Sequence, residues 1–153
     1  MGESDNPLPS SGISGLDDAR EETELVAAEL LGLIKIKGEQ SPGGVRITEC
    51  DNGEDPEKYF RTFHPVNFFP ESPEQLAGVM ERLRTELPAH GWKVVEYGPD
   101  SSRNKNLNLT ADHDKRKFGV NIVHKAKDER PSISLYVVSG CYEVPEGEKV
   151  EGY

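Results

Sequence analysis

No stretch of this chain approaches the roughly 20 consecutive apolar residues that an α-helix needs to cross a bilayer, so no helical membrane span is expected. Nor is there an excess of positive charge. Lys and Arg number 18 against 28 Asp and Glu, a formal net charge of −10. A surface of that sign repels phosphate backbones and anionic lipid, which disfavours nucleic acid and direct membrane contact as partners. Cysteine is scarce, with Cys50 and Cys141 as the only two, so one pairing is available. The chain has no G-x-G-x-x-G, no G-x-S-x-G elbow and no internal repeat. The opening Met1-Gly2-Glu3-Ser4-Asp5 has none of the charge and apolar pattern of a signal peptide.

What is present is enough for one domain. A chain of 153 residues buries roughly 70% of its unfolded surface, so its core needs no metal. Residues 1–13, rich in Ser, Pro and Gly, read as a disordered lead-in, and 146–153 as a flexible tail. The single domain spans 14–145. Leu16, Thr23, Ala27, Leu30 and Ile34 recur at helical spacing and predict an N-terminal helix over 15–34, with Ser14 as cap and Asp17 closing a weak capping box. Its apolar stripe packs on the domain or on a partner.

Gly38 to Gly44 reads as a turn, and Val45 and Ile47 as a strand that ends at Cys50. Asp51 to Pro56 contains Asn-Gly, a hairpin signal. Tyr59 to Phe69 is the next strand, where Pro65 argues for an edge or a bulge. Ser72-Pro73-Glu74-Gln75 is a helix start, and Leu76, Met80, Leu83 and Leu87 form one apolar face before Pro88 and Gly91 stop the helix. Four alternating segments follow: 92–97, 107–111, 118–122 and 133–137. The expected fold is α+β: an antiparallel sheet of about five to six strands with this amphipathic helix on one face, plus the N-terminal helix, the core running over 44–142.

Cys50 ends the first strand of this reading and Cys141 the last. The pair brackets the core, which favours a disulfide closing it over two buried thiols. The stretch from Leu83 to Pro145, with LPAHGWKVVEYGPD after the helix and VVSGCYEVPEG near the end, resembles small secreted proteins and lipoproteins of actinobacteria, a group of mostly uncharacterised function. That resemblance implies the same Cys50–Cys141 pair, an extracellular or membrane-anchored location, and a leader or lipid anchor that this chain does not carry. It brings no catalytic residues.

Tests for chemistry find little. Asp112-His113-Asp114 brackets an imidazole with carboxylates, but on a strand the two carboxylates and the ring face opposite ways, and a Lys-Arg-Lys run follows. The bases Lys115, Arg116, Lys117, Lys125 and Lys127 are interspersed with Asp112, Asp114 and Asp128, as in a solvated hairpin; an anion-binding patch is the alternative. His64, His90 and His124 stand apart from it. Ser101, Ser102 and Ser139 are nucleophiles by residue type only. No catalytic, cofactor or metal residue is assigned. The unusual feature is the aromatic run Tyr59, Phe60, Phe63, Phe68 and Phe69. It divides between two faces of a strand, and is either core on both sides or a candidate patch for a partner or ligand. Trp92 is expected to anchor the core behind the helix.

The expected function is therefore a non-enzymatic, extracytoplasmic binding module of a secreted protein or lipoprotein at the cell envelope, without cofactor. One alternative is a carrier of an apolar small molecule held between the helix and the sheet. Another is an acidic antagonist of a basic protein.

Overall fold

The computed structural model describes residues 10–41, 43–50 and 55–151. Among these residues nine strands and two α-helices follow one another as β1 (Ser10–Ile13), α1 (Leu16–Gly32), β2 (Gly38–Ser41), β3 (Arg46–Thr48), β4 (Tyr59–Pro70), α2 (Leu76–Glu86), β5 (Lys93–Pro99), β6 (Leu107–His113), β7 (Phe118–Lys125), β8 (Ser132–Ser139) and β9 (Cys141–Glu143). The class is α+β. The sheet is larger than the sequence predicts and mixed, with order β1-β9-β4-β8-β7-β6-β5 and with β2 and β3 also paired to β4. The pair β1–β9 is parallel; the other pairs are antiparallel.

β4 organises this arrangement. Along one edge it pairs first with β9 at Tyr59 and Phe60 and then with β8 from Phe63 to Phe68. Between Phe60↔Tyr142 and Phe63↔Val138 the partner strand takes one more step than β4. Gly140 lies in that extra step, so β8 runs into β9 through a bulge. Along its other edge β4 pairs with β3 at 61–63 and with β2 at 67–70. Pro65 falls in the gap between β3 and β2. The Thr62 N–H turns toward β8, where it donates to Ser139. By alternation the nitrogen of Pro65 turns the other way, into the gap, so its missing donor leaves no ladder bond unmade. β4 is thus an internal strand, and the expected edge is a local interruption. At Gly43 an added Cβ would lie 2.3 Å from the Pro65 carbonyl oxygen, so the chain crosses the gap at glycine.

Both helices cover one face of the sheet. Val26, Ala27, Leu30 and Ile34 of the α1 region and Leu76, Val79, Met80, Leu83 and Leu87 of the α2 region share one core with Val66, Phe68, Leu109, Ala111, Val120, Ile122, Leu135 and Val137. Arg82 donates to the Ile34 carbonyl and Lys35 to Glu86, tying the two helices together. α1 packs on its own domain. A smaller cluster of Ala19, Ile47, Phe60, Tyr142, Val144 and Val150 fills the end near β9.

Several local expectations need correction. Residues 10–13 are not part of a disordered lead-in: they form a strand, and the Ser14 N–H continues its pairing to the Glu143 carbonyl. Residues 1–9 lie outside the described residues. Gly38–Ser41 is a strand rather than a turn, because β4 offers it an unpaired edge. Gly15, not Ser14, is the N-cap of α1, and no side chain caps it. Ser72 precedes a short 3-10 turn, Pro73–Gln75, that leads into α2 without a side-chain cap. The tail reading fails for 146–151, since Val150 is buried and its N–H donates to the Glu57 carbonyl. The Asn52-Gly53 turn lies outside the described residues, as do 152–153.

Candidate functional site

The two cysteines are joined. The Cys50–Cys141 disulfide links the segment after β3 to the first residue of β9, with 5.7 Å between the Cα atoms. A disulfide fits an oxidising, extracellular-type compartment. Among the described residues no helix is long and apolar enough to cross a membrane.

The aromatic run divides along β4. Phe60 and Phe68 point into the core with Thr62, His64 and Val66, while Tyr59, Phe63 and Phe69 are half-buried on the opposite face. The candidate patch is therefore not one surface. Cross-strand partners share a face, and the register brings other residues beside the outward half. Pro65 pairs with Tyr136 on β8, and Tyr136 with Asn121 on β7. The rings of Phe63 and Tyr136 lie 6.2 Å apart in nearly parallel planes, at 5°. Arg46 of β3 sits 6.0 Å above Phe63. Lys125 of β7 donates to the Tyr136 hydroxyl at 3.1 Å, end-on to the ring. Arg130 lies 4.0 Å over the Phe69 ring. Phe63 and Phe69 thus each carry a cation on the side of the sheet that faces away from the helices, an attraction between charge and ring quadrupole.

Beside the rings runs a strip of short polar side chains. Ser134 bonds Asn67, and the Asn121 amide donates to Asn108 at 2.6 Å and to Thr110 at 3.0 Å. These contacts fix the side chains and use both side-chain N–H groups of Asn121 and of Asn108, leaving the Asn67 side-chain N–H groups and the Asn121 side-chain carbonyl oxygen without a partner among the described residues. Sequence reasoning missed Tyr136, Arg46 and Arg130. Alternation in SISLYVV placed Ile133, Leu135 and Val137 in the core, which by itself turns Tyr136 outward; that it meets Phe63 depends on register across 73 positions of chain.

The remaining predicted residues do other work. His113 is buried on the inner face, edge-on to Trp92 at 5.3 Å, and its Nδ1 accepts the Arg116 N–H. Asp112 and Asp114 border a cleft of about 340 Å³ floored by Gly119. Arg116 is half-buried and forks onto α1, reaching Glu29 at 2.7 Å and Glu22 at 2.8 Å. That pairing raises its affinity for its proton, led by the bond to Glu22. It also turns part of the basic hairpin into a clamp and neutralises acids of α1 that the antagonist reading would use. His64 is buried on the inner face, and its Nδ1 has no hydrogen-bond partner among the described residues. Burial pushes the His124 pKa below its ordinary value. The Ser139 hydroxyl accepts from Thr62 and donates to the Gly140 carbonyl, a structural role. Ser102 donates its hydroxyl and its N–H to the Asp100 carboxylate, which caps that turn. Leu76, Val79, Met80, Leu83 and Leu87 are fully buried between α2 and the sheet. Side chains fill the space in which a carrier would hold its ligand.

Comparison with protein families, curated proteins and solved structures finds no match for this chain.

Proposed function

We propose that this protein is an extracytoplasmic, non-enzymatic binding module of the cell envelope, and that it binds through the open face of its sheet. The observation that carries this reading is the Phe63–Tyr136 pair, with Arg46 over Phe63 and Lys125 bonded to the Tyr136 hydroxyl, on a face that neither helix covers. A wet sheet face is ordinarily polar. Aromatic rings held there by cations lose apolar hydration when a partner covers them, and aromatic and Arg side chains are the types that anchor interfaces. The disulfide supports the compartment, as does the resemblance of the Leu83–Pro145 stretch to secreted proteins and lipoproteins.

The test is retention. Immobilised wild-type protein is expected to hold a component of the native envelope fraction that a Phe63→Ser, Tyr136→Ser double variant with an intact fold does not. Equal retention by both proteins would place the binding surface elsewhere.

A further inference from the structure

The geometry points to a carboxylate-bearing polysaccharide as the occupant of the open face; this rests on the reading that the face is the binding surface. Charge comes first. The whole chain is at −10, yet this part of the sheet is locally positive. On this face the acids are Glu39 on β2, which Arg130 holds at 2.6 Å, and Glu96 and Asp112 toward β5 and β6, set against Arg46, Arg61, Lys93 and Lys125. Arg46 sits over Phe63, Lys125 bonds the Tyr136 hydroxyl, and neither reaches a carboxylate among the described residues. An anionic group set down beside either ring completes a charge pair that the protein leaves open.

Shape and polarity select among anionic partners. The aliphatic C–H face of a pyranose carries slight positive charge, and it complements the negative face of an aromatic ring. Phe63 and Tyr136 supply two such rings in nearly parallel planes. Next to them the Asn67 side-chain N–H groups and the Asn121 side-chain carbonyl oxygen are half-exposed and unused among the described residues, a donor and an acceptor that sugar hydroxyls can meet. An extended acidic peptide is read through main-chain bonds at a sheet edge; on this face the backbone groups are committed to the ladder with β3, β8 and β7. A membrane surface would call for exposed aliphatic side chains here. Among the described residues the large exposed apolar ones are Ile13, Leu25 and Val95, on β1, α1 and β5. A nucleic acid would have to approach a chain whose total charge repels it.

The experiment is affinity electrophoresis of the intact, disulfide-bonded protein through gels containing polygalacturonate, with dextran, poly-L-glutamate, poly(U) and anionic phosphatidylglycerol vesicles as parallel probes. Polygalacturonate is expected to retard the protein, and the other probes to leave it unretarded. Tyr136→Ser and Arg46→Gln are each expected to weaken binding roughly tenfold, the scale of one lost contact, with the native circular-dichroism spectrum retained. Absence of retardation by polygalacturonate overturns the proposal. So does equal retardation by poly-L-glutamate, poly(U) or the vesicles, and so does binding that ignores both substitutions. If polygalacturonate fails while the Phe63/Tyr136 variant still loses envelope retention, the ligand class falls and the binding face stands. If retention is also unchanged, both fall.

Discussion

Cys50 and Cys141 stand 91 positions apart in the chain and 5.7 Å apart at their Cα atoms. The bond closes β4, α2 and the strands β5 to β8 into one loop. A cross-link of that length removes chain entropy from the unfolded state worth about 4–5 kcal/mol at most. The Cys50→Ala, Cys141→Ala variant is expected to lose about 2–5 kcal/mol in urea unfolding, and reduction of the wild type to do the same. The native protein is expected to show no free thiol when denatured without reductant. An unchanged urea midpoint would contradict the closure.

Arg116 is the clamp between the β6–β7 turn and α1. Its side chain is 26% exposed and meets two glutamates, so its bonds are charge-assisted but reached by solvent. Arg116→Gln is expected to cost about 1 kcal/mol, with most of the loss gone at high salt. A cycle with Glu22→Gln measures the coupling, and a coupling near zero would show the fork to be ornamental.

Gly91 ends the turn after α2 at φ +90°, and an added Cβ would lie 2.5 Å from the Nε2 of His113. Gly91→Ala combines the left-handed backbone cost of roughly 1–2 kcal/mol with that clash. The expected result is a loss above 2 kcal/mol by thermal unfolding. Adding His113→Ala should make the Gly91 substitution less costly than it is alone, because the steric part disappears and the backbone part remains.

Tyr142 stacks on Phe60 at 5.3 Å, and burial, aided by the charge of Glu22, pushes its phenol up to about 12. The folded state holds this proton more tightly than the unfolded state does. Below the unfolded value of about 10 the group contributes its full stability; between there and about 12 that contribution falls, at most by about 1.4 kcal/mol per pH unit. Tyr142→Phe is expected to remove this part of the alkaline slope and the last step of the phenolate absorbance titration. A titration unchanged by the substitution would mean that another tyrosine is the buried one.

Much of the fold is written locally. Leu76, Met80, Leu83 and Leu87 recur at the helical period, and each proves to be fully buried; Ile133, Leu135 and Val137 alternate and line the same core. β2 is different. Gly38-Glu39-Gln40-Ser41 has no apolar alternation, and it is a strand because β4 presents an open edge to it, a tertiary cause invisible in four residues. Ser10–Ile13 depends likewise on β9. The cysteine pair was legible because it is the one pairing available. The candidate site was half legible: alternation separates Phe60 and Phe68 from Phe63 and Phe69, but the neighbours that make Phe63 part of a platform come from β3, β7 and β8 through register.

Hydroxyl-radical footprinting of the intact protein, free and after mixing with the native envelope fraction, tests the binding face most directly. Protection of Phe63 and Tyr136 is expected, with Leu25 and Val95, 51% and 50% exposed on α1 and β5, oxidised as before. Protection at Leu25 or Val95 with Phe63 and Tyr136 unchanged would contradict the assignment of the open sheet face.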